Sequence, residues 1–146
     1  MSPIDILLVD DEKAFLDQAK LFLEKMNSDF NIRTTVSAEK ALKMMEENDF
    51  DAIVSDYKMP DMDGLEFLKV IREEKACEIP FIVFTGKGRE EVAIKALNLG
   101  ADHYLRKGGD PKSQYNLLSN VLVNQLEKEK AQREKKQALK DKEKIM

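Results

Sequence analysis

The chain has little of the chemistry that cross-links or metallates small proteins: of its 146 residues one is cysteine (Cys77) and one is histidine (His103). A lone thiol cannot close an intrachain disulfide, and one thiol plus one imidazole argue against a dedicated zinc site. Long apolar runs are missing too. The opening run, Ile4–Val9, is six residues long and already contains Asp5, which suits neither a signal peptide nor a membrane span. A reduced, cytoplasmic protein without membrane contact is the expectation. Basic clusters are scarce over most of the length. The formal net charge is −4, and residues 127–144 hold eight Lys/Arg against five Asp/Glu, which leaves about −7 for residues 1–126. An acidic body lacks the clustered cations that displace counterions from nucleic acid, so no direct nucleic-acid binding is expected.

What is present is an alternation of short apolar runs with amphipathic stretches. The runs are Ile4–Val9, Ile32–Val36, Ala52–Val54, Phe81–Phe84 and a weaker His103–Leu105. Most of their residues are β-branched, aromatic or Leu, as buried parallel strands require. Between them, helical spacing predicts one helix with Phe15, Ala19, Phe22 and Met26 inward, and a second with Ala38, Ala41, Leu42 and Met45, capped by Ser37. A third uses Leu65, Leu68 and Ile71. A fourth runs from about Glu90 to Leu99 and stops at Gly100. A fifth begins at Asp110-Pro111, an N-cap followed by proline at the first helical position, and turns Leu118, Val121, Leu122 and Gln125 inward. Five β units each followed by a helix predict a (βα)5 doubly wound parallel five-stranded sheet with helices on both faces.

In such sheets the chemistry lies beyond the carboxyl ends of the strands. The first strand ends in Asp10-Asp11-Glu12, the third in Asp56, the fourth in Thr85, and the fifth leads to Lys107. The topology gathers these ends into one cleft of three carboxylates, a hydroxyl and an ammonium. Crowded carboxylates raise one another's pKa, and a hard divalent cation with oxygen ligands, Mg2+, relieves the repulsion. A carboxylate nucleophile in this setting forms an acyl phosphate. The transferred group needs cationic and hydrogen-bonding partners, which Lys107 and Thr85 can supply beside the cation.

Taken in order, Leu8-Val9-Asp10-Asp11-Glu12, Ile53 through Gly64, Phe84-Thr85-Gly86, and Gly100-Ala101-Asp102 through Lys107 resemble the receiver domains of two-component response regulators. The likeness covers roughly residues 4–124. It implies a flavodoxin-like fold and a phosphoacceptor switch that catalyses only its own phosphorylation and dephosphorylation. The implied phosphoacceptor is Asp56. Asp11 matches the direct Mg2+ ligand, Asp10 the acid that helps hold the cation, and the Lys58 main-chain carbonyl a further ligand. Thr85 and Lys107 match the contacts to the phosphoryl oxygens, and Tyr104 the aromatic that swings inward as Thr85 moves. A histidine kinase or histidine phosphotransfer protein is the implied donor. One departure stands out. Receivers commonly carry proline after the active-site lysine, joined by a cis bond, whereas here Lys107 precedes Gly108-Gly109. A cis bond to glycine costs about 3–4 kcal/mol, so a trans loop with positive φ at the glycines is the alternative. The stretch Leu105 through Pro111 resembles receivers of methanogenic archaea, often joined to sensor and kinase modules.

Asp10-Asp11-Glu12 could be a negatively charged helix start. Pro60-Asp61-Met62-Asp63-Gly64 reads as structural, with Asp63 as a cap and Gly64 easing the turn, and His103 reads as a strand residue without a catalytic part. Gly86-Lys87-Gly88 lacks the spacing of a P-loop. An aspartyl-phosphate phosphatase would carry Asp-x-Asp after the first strand, and a flavodoxin-like cofactor binder would not place three acids there. Residues 1–126 are therefore expected to form the receiver and 127–146 an extended charged helix, a connector or a weak homodimer contact. Opposite charges recur along it at helical spacing, as in Glu129 with Arg133 and Lys130 with Glu134. A receiver excised from a larger sensor kinase fits the same residues.

Overall fold

A computed structural model describes residues 3–145, and side chains as far as 143; Met1, Ser2 and Met146, which the expected domain and tail boundaries include, lie outside the described residues. Five strands form one parallel sheet: β1 (Ile4–Val9), β2 (Phe30–Thr35), β3 (Ala52–Ser55), β4 (Phe81–Thr85) and β5 (His103–Arg106), in the order β2-β1-β3-β4-β5. The helices are α1 (Lys13–Met26), α2 (Ala38–Glu47), α3 (Gly64–Lys69), α4 (Glu90–Asn98) and α5 (Pro111–Ile145), and α3 continues as a π-helical turn over Val70–Glu74. The predicted fold class is the observed one.

The sheet separates two apolar layers because alternate strand residues face opposite sides. Ile6, Leu8, Val54, Ile82 and Phe84 meet α1 and α5, while Leu7, Val9, Ile53, Phe81 and Val83 meet the α2, α3 and α4 side. The expected stripe on α1 is displaced by one residue: Leu16, Ala19 and Leu23 are the deeply buried set, and Phe15, Phe22 and Met26 pack along its margin. The strand expected at Ile32–Val36 begins two residues earlier, at Phe30. Asn31 hides that start in the sequence, yet on an edge strand it simply points outward between buried Phe30 and Ile32.

Two features tie the helices to the strand ends. At α3, Asp63 accepts from the Glu66 amide at 2.8 Å while Glu66 accepts from the Asp63 amide at 3.0 Å, a reciprocal cap. Gly64 does more than ease a turn, because a Cβ there would overlap the Asp56 carbonyl oxygen and lie 3.1 Å from Tyr57 Cα. Its bare backbone lets α3 start directly against the end of β3. At the opposite end of the sheet, the π turn aims Arg72 at the loop before β5. Its guanidinium donates to the Gly100 carbonyl (2.9 and 3.0 Å) and the Cys77 carbonyl (2.8 Å), and meets Asp102.

α5 is one uninterrupted helix of 35 residues, and residues 131–143 are all exposed. The expected charge pairs do not close: among the described residues no ion pair within 4 Å joins Glu129 to Arg133 or Lys130 to Glu134. Lys130 and Arg133 instead line a cleft beneath the sheet together with Asp29, Asp51 and Leu126. No helix among the described residues is long and apolar enough to cross a membrane.

Candidate functional site

The carboxyl ends of β1, β3, β4 and β5 bring together most of the residues singled out in the sequence. Asp10 follows directly on β1 and is 1% exposed, and Asp56 follows directly on β3 and is 3% exposed. Asp10, Asp11 and Asp56 each offer a carboxylate oxygen, and these oxygens lie within 4.8 Å of one another.

The three acids are held differently. Asp10 is fully engaged: Oδ1 accepts from the Glu12 amide at 2.9 Å and Oδ2 from Lys107 Nζ at 2.5 Å. Asp56 Oδ1 accepts from the Tyr57 amide at 2.8 Å, and Oδ2 lies 3.7 Å from Lys107 Nζ. Asp11 Oδ1 is buried and has no hydrogen-bond partner among the described residues. An orphaned carboxylate oxygen beside two other acids is the donor set that a hard cation completes. Burial pushes the Asp10 carboxyl above its ordinary value, and the negative charge of Asp56 adds to the rise. The Lys107 and Glu12 hydrogen bonds offset only part of it.

Lys107 bridges Asp10 and Asp56 with its ammonium 3.9 Å from the centre of the Phe15 ring. The bond that follows it is trans, since no cis peptide occurs among the described residues. The two glycines adopt φ of 147° and 76°, with open space around both Cα atoms, so the loop takes the alternative route expected for a chain without the proline. Gln114, from the first turn of α5, accepts from the Gly108 amide at 2.7 Å and braces this loop.

Thr85 is fully buried; its hydroxyl accepts from the Lys87 amide at 3.2 Å, and its carbonyl accepts from the Lys107 amide at 3.0 Å. Tyr104 is half-buried on β5 with its hydroxyl buried and unpartnered, and burial raises its pKa. Lys58 lies exposed in the loop between β3 and α3, and its carbonyl accepts no backbone hydrogen bond among the described residues. His103 is remote from the acids and shares a hydrogen bond of 3.1 Å with Gln125 of α5.

Three features of the site escaped sequence reasoning. Lys87 pairs with Glu12 across the mouth of the cleft at 3.8 Å. Asp61 takes φ of 70° inside a tight turn in which the Met62 amide donates to the Pro60 carbonyl at 2.8 Å. Gly88 packs beneath Tyr104. Only the Pro60-Asp61 pair carried a local signal, since proline and aspartate favour turns.

Comparison with known proteins agrees with this geometry. Residues 6–119 match the family model for the response regulator receiver domain. The response regulator SaeR of Staphylococcus aureus is 34% identical over 118 residues, which cover 81% of this chain and 50% of that protein. The chain thus spans about half the length of the curated relatives it matches. A receiver domain protein from Clostridium thermocellum is 30% identical, with a TM-score of 0.76 over 88% of this chain and 98% of that one. A CheY-like receiver domain protein from Methanospirillum hungatei JF-1 is 31% identical, with a TM-score of 0.74 over 88% and 99%. With residues 6–119 matched by its model, the chain belongs to the response regulator receiver domain family of two-component systems.

Proposed function

We propose that the chain is a phosphoacceptor switch in which Asp56 takes a phosphoryl group from a histidine kinase or histidine phosphotransfer protein. The observation that carries this reading is the strand-end group itself. A buried Asp56 carboxylate sits among Asp10, Asp11 and Lys107, with cation ligands on one side and an ammonium on the other.

Asp11, Asp56 and the Lys58 carbonyl are the direct ligands in this reading, and Asp10 supports the site from behind. The orphaned Asp11 Oδ1 and the full engagement of both Asp10 oxygens favour that division. Mg2+, when bound, supplies the positive charge that offsets the crowded acids and the phosphoryl oxygens. The chain's own groups do the rest. The Tyr57 amide holds Asp56 Oδ1, so the carboxylate presents Oδ2 to the donor. As the new O–P bond forms, the P–N bond of the donor's phosphohistidine breaks and the imidazole leaves. Lys107 turns from Asp10 to the phosphoryl oxygens, and Thr85 donates its hydroxyl to another. Tyr104, whose ring end already lies in the space beside Gly88, keeps that position as Thr85 turns to the phosphoryl group. The chain promotes only its own phosphorylation and dephosphorylation in this scheme, and it acts on no separate substrate.

Residues 127–146 serve as a helical connector to whatever follows the receiver. The unbroken α5 and the exposure of every residue from 131 to 143 support this over a packed dimer seam. The test of the phosphoacceptor is direct. Incubation with acetyl phosphate and Mg2+ adds one phosphoryl mass to the protein and none to Asp56→Asn. A mass gain in that variant overturns the assignment.

A further inference from the structure

We propose that Gly88 determines which way Tyr104 lies, and so how readily this receiver reaches its phosphorylated shape. The proposal rests on the reading of Tyr104 as the partner of Thr85 in the switch. It adds a residue that has no part in the chemistry.

Gly88 is buried in the loop between β4 and α4, three residues beyond Thr85. A Cβ at this position would overlap the Tyr104 hydroxyl outright, approach Tyr104 Cζ to 2.9 Å, and lie 3.2 Å from Thr85 Cγ2. The missing side chain is the space in which the end of the tyrosine ring sits. Backbone geometry does not explain this glycine, because Gly88 is not among the residues with positive φ. Gly108 and Gly109 are the reverse case, with positive φ and nothing within 4 Å of an added Cβ. They are glycines for the sake of the backbone, whereas Gly88 is one for the sake of its neighbour.

The inward ring is not strongly held. Its hydroxyl is buried without a hydrogen-bond partner, which works against this position, while burial of the ring favours it. A methyl group at 88 would take the space that the end of the ring occupies. With glycine at 88, the slot is open before any phosphoryl group arrives, and the phosphorylated form inherits a ring already in place. A side chain there would close the slot and make the activating ligand do the work of opening it.

The test uses Gly88→Ala, Tyr104→Ala and the double variant in the full chain. Alanine is compatible with the backbone at 88, and it reduces the freedom of the unfolded chain. Two readouts are taken. The first is the NOE between the Tyr104 ring and the α-proton of residue 88 in the unphosphorylated protein. The second is the apparent affinity for beryllofluoride with Mg2+. Wild type shows the NOE. Gly88→Ala loses it and binds beryllofluoride roughly fivefold or more weakly, the lower range of a typical coupling between sites. In the Tyr104→Ala background the same change alters affinity by less than about twofold, because nothing is left to collide. An NOE that persists in Gly88→Ala overturns the proposal. So does an equal loss of affinity with and without the tyrosine, which would place the effect in the loop itself. If wild type binds no beryllofluoride, the reading of Asp56 fails instead, and the NOE still decides the steric claim.

Discussion

Asp10, Asp11 and Asp56 are one residue type with three environments, and the differences predict distinct behaviour. Asp11 carries the free oxygen, so Asp11→Ala should weaken Mg2+ binding more than Asp10→Ala in a direct titration; the reverse order would exchange their roles. Asp10 makes a second prediction through its raised pKa. The folded state holds the Asp10 proton more tightly than the unfolded chain does. The stability from this group is therefore present below the ordinary carboxylate value and is lost as pH rises through the raised one. Asp10→Asn should melt above wild type at pH 8 without divalent cation. The gap should close near pH 3, and also when Mg2+ is added at pH 8. A variant that melts below wild type at pH 8 would mean that the lost Lys107 pair outweighs the relief of burial. Asp10, Asp11, Asp56, Thr85 and Lys107 are legible as candidates because they lie at or just beyond strand ends, which converge in this topology, whereas Tyr104 and Lys58 are expected only from the family resemblance. The contacts that discriminate among them, such as the unpartnered Asp11 oxygen, depend on loop paths that composition does not encode.

Elements place the acids, and α3 is the most exacting of them. Its N-terminus touches the Asp56 carbonyl only because residue 64 has no side chain. Gly64→Ala forces backbone against backbone, so it should cost about 1–3 kcal/mol in urea unfolding, as overpacking typically does, and should suppress phosphorylation by acetyl phosphate. Gly86→Ala is the control. Its Cβ would meet only Lys107 Cβ at 3.7 Å, an ordinary contact, and unfolding should change little. Helical periodicity marks where the helices lie but not every residue they bury: Phe67 and Tyr115 are fully buried outside the expected stripes. Tyr115 stacks on Phe22 with centroids 5.1 Å apart and donates its hydroxyl to Gln18 at 2.9 Å, so a polar end is satisfied inside the core. That partnership joins residues 97 positions apart, beyond the reach of any local window. The π turn after α3 escaped for a similar reason, since it is held by Arg72 reaching Gly100 across the chain.

Taken whole, the molecule is a packed body with a rod attached. Removing residues 127–146 should leave phosphorylation intact and shift melting by no more than about 2–4 °C, since none of residues 127–143 is buried. A larger shift, or loss of phosphorylation, would show that the segment belongs to the body. The rod also changes the currency in which the body's motion is expressed. Residues 127–145 extend about 28 Å at the usual helical rise. The helix is anchored at its base by Tyr115, Leu118 and Leu122 in the core, with Gln125 bonded to Asp102 and His103. A rigid pointer fixed at one end multiplies angle into distance. A tilt of about 10° at the anchor, too small to disturb the packing there, would carry the far tip through roughly 5 Å, about one turn of helix.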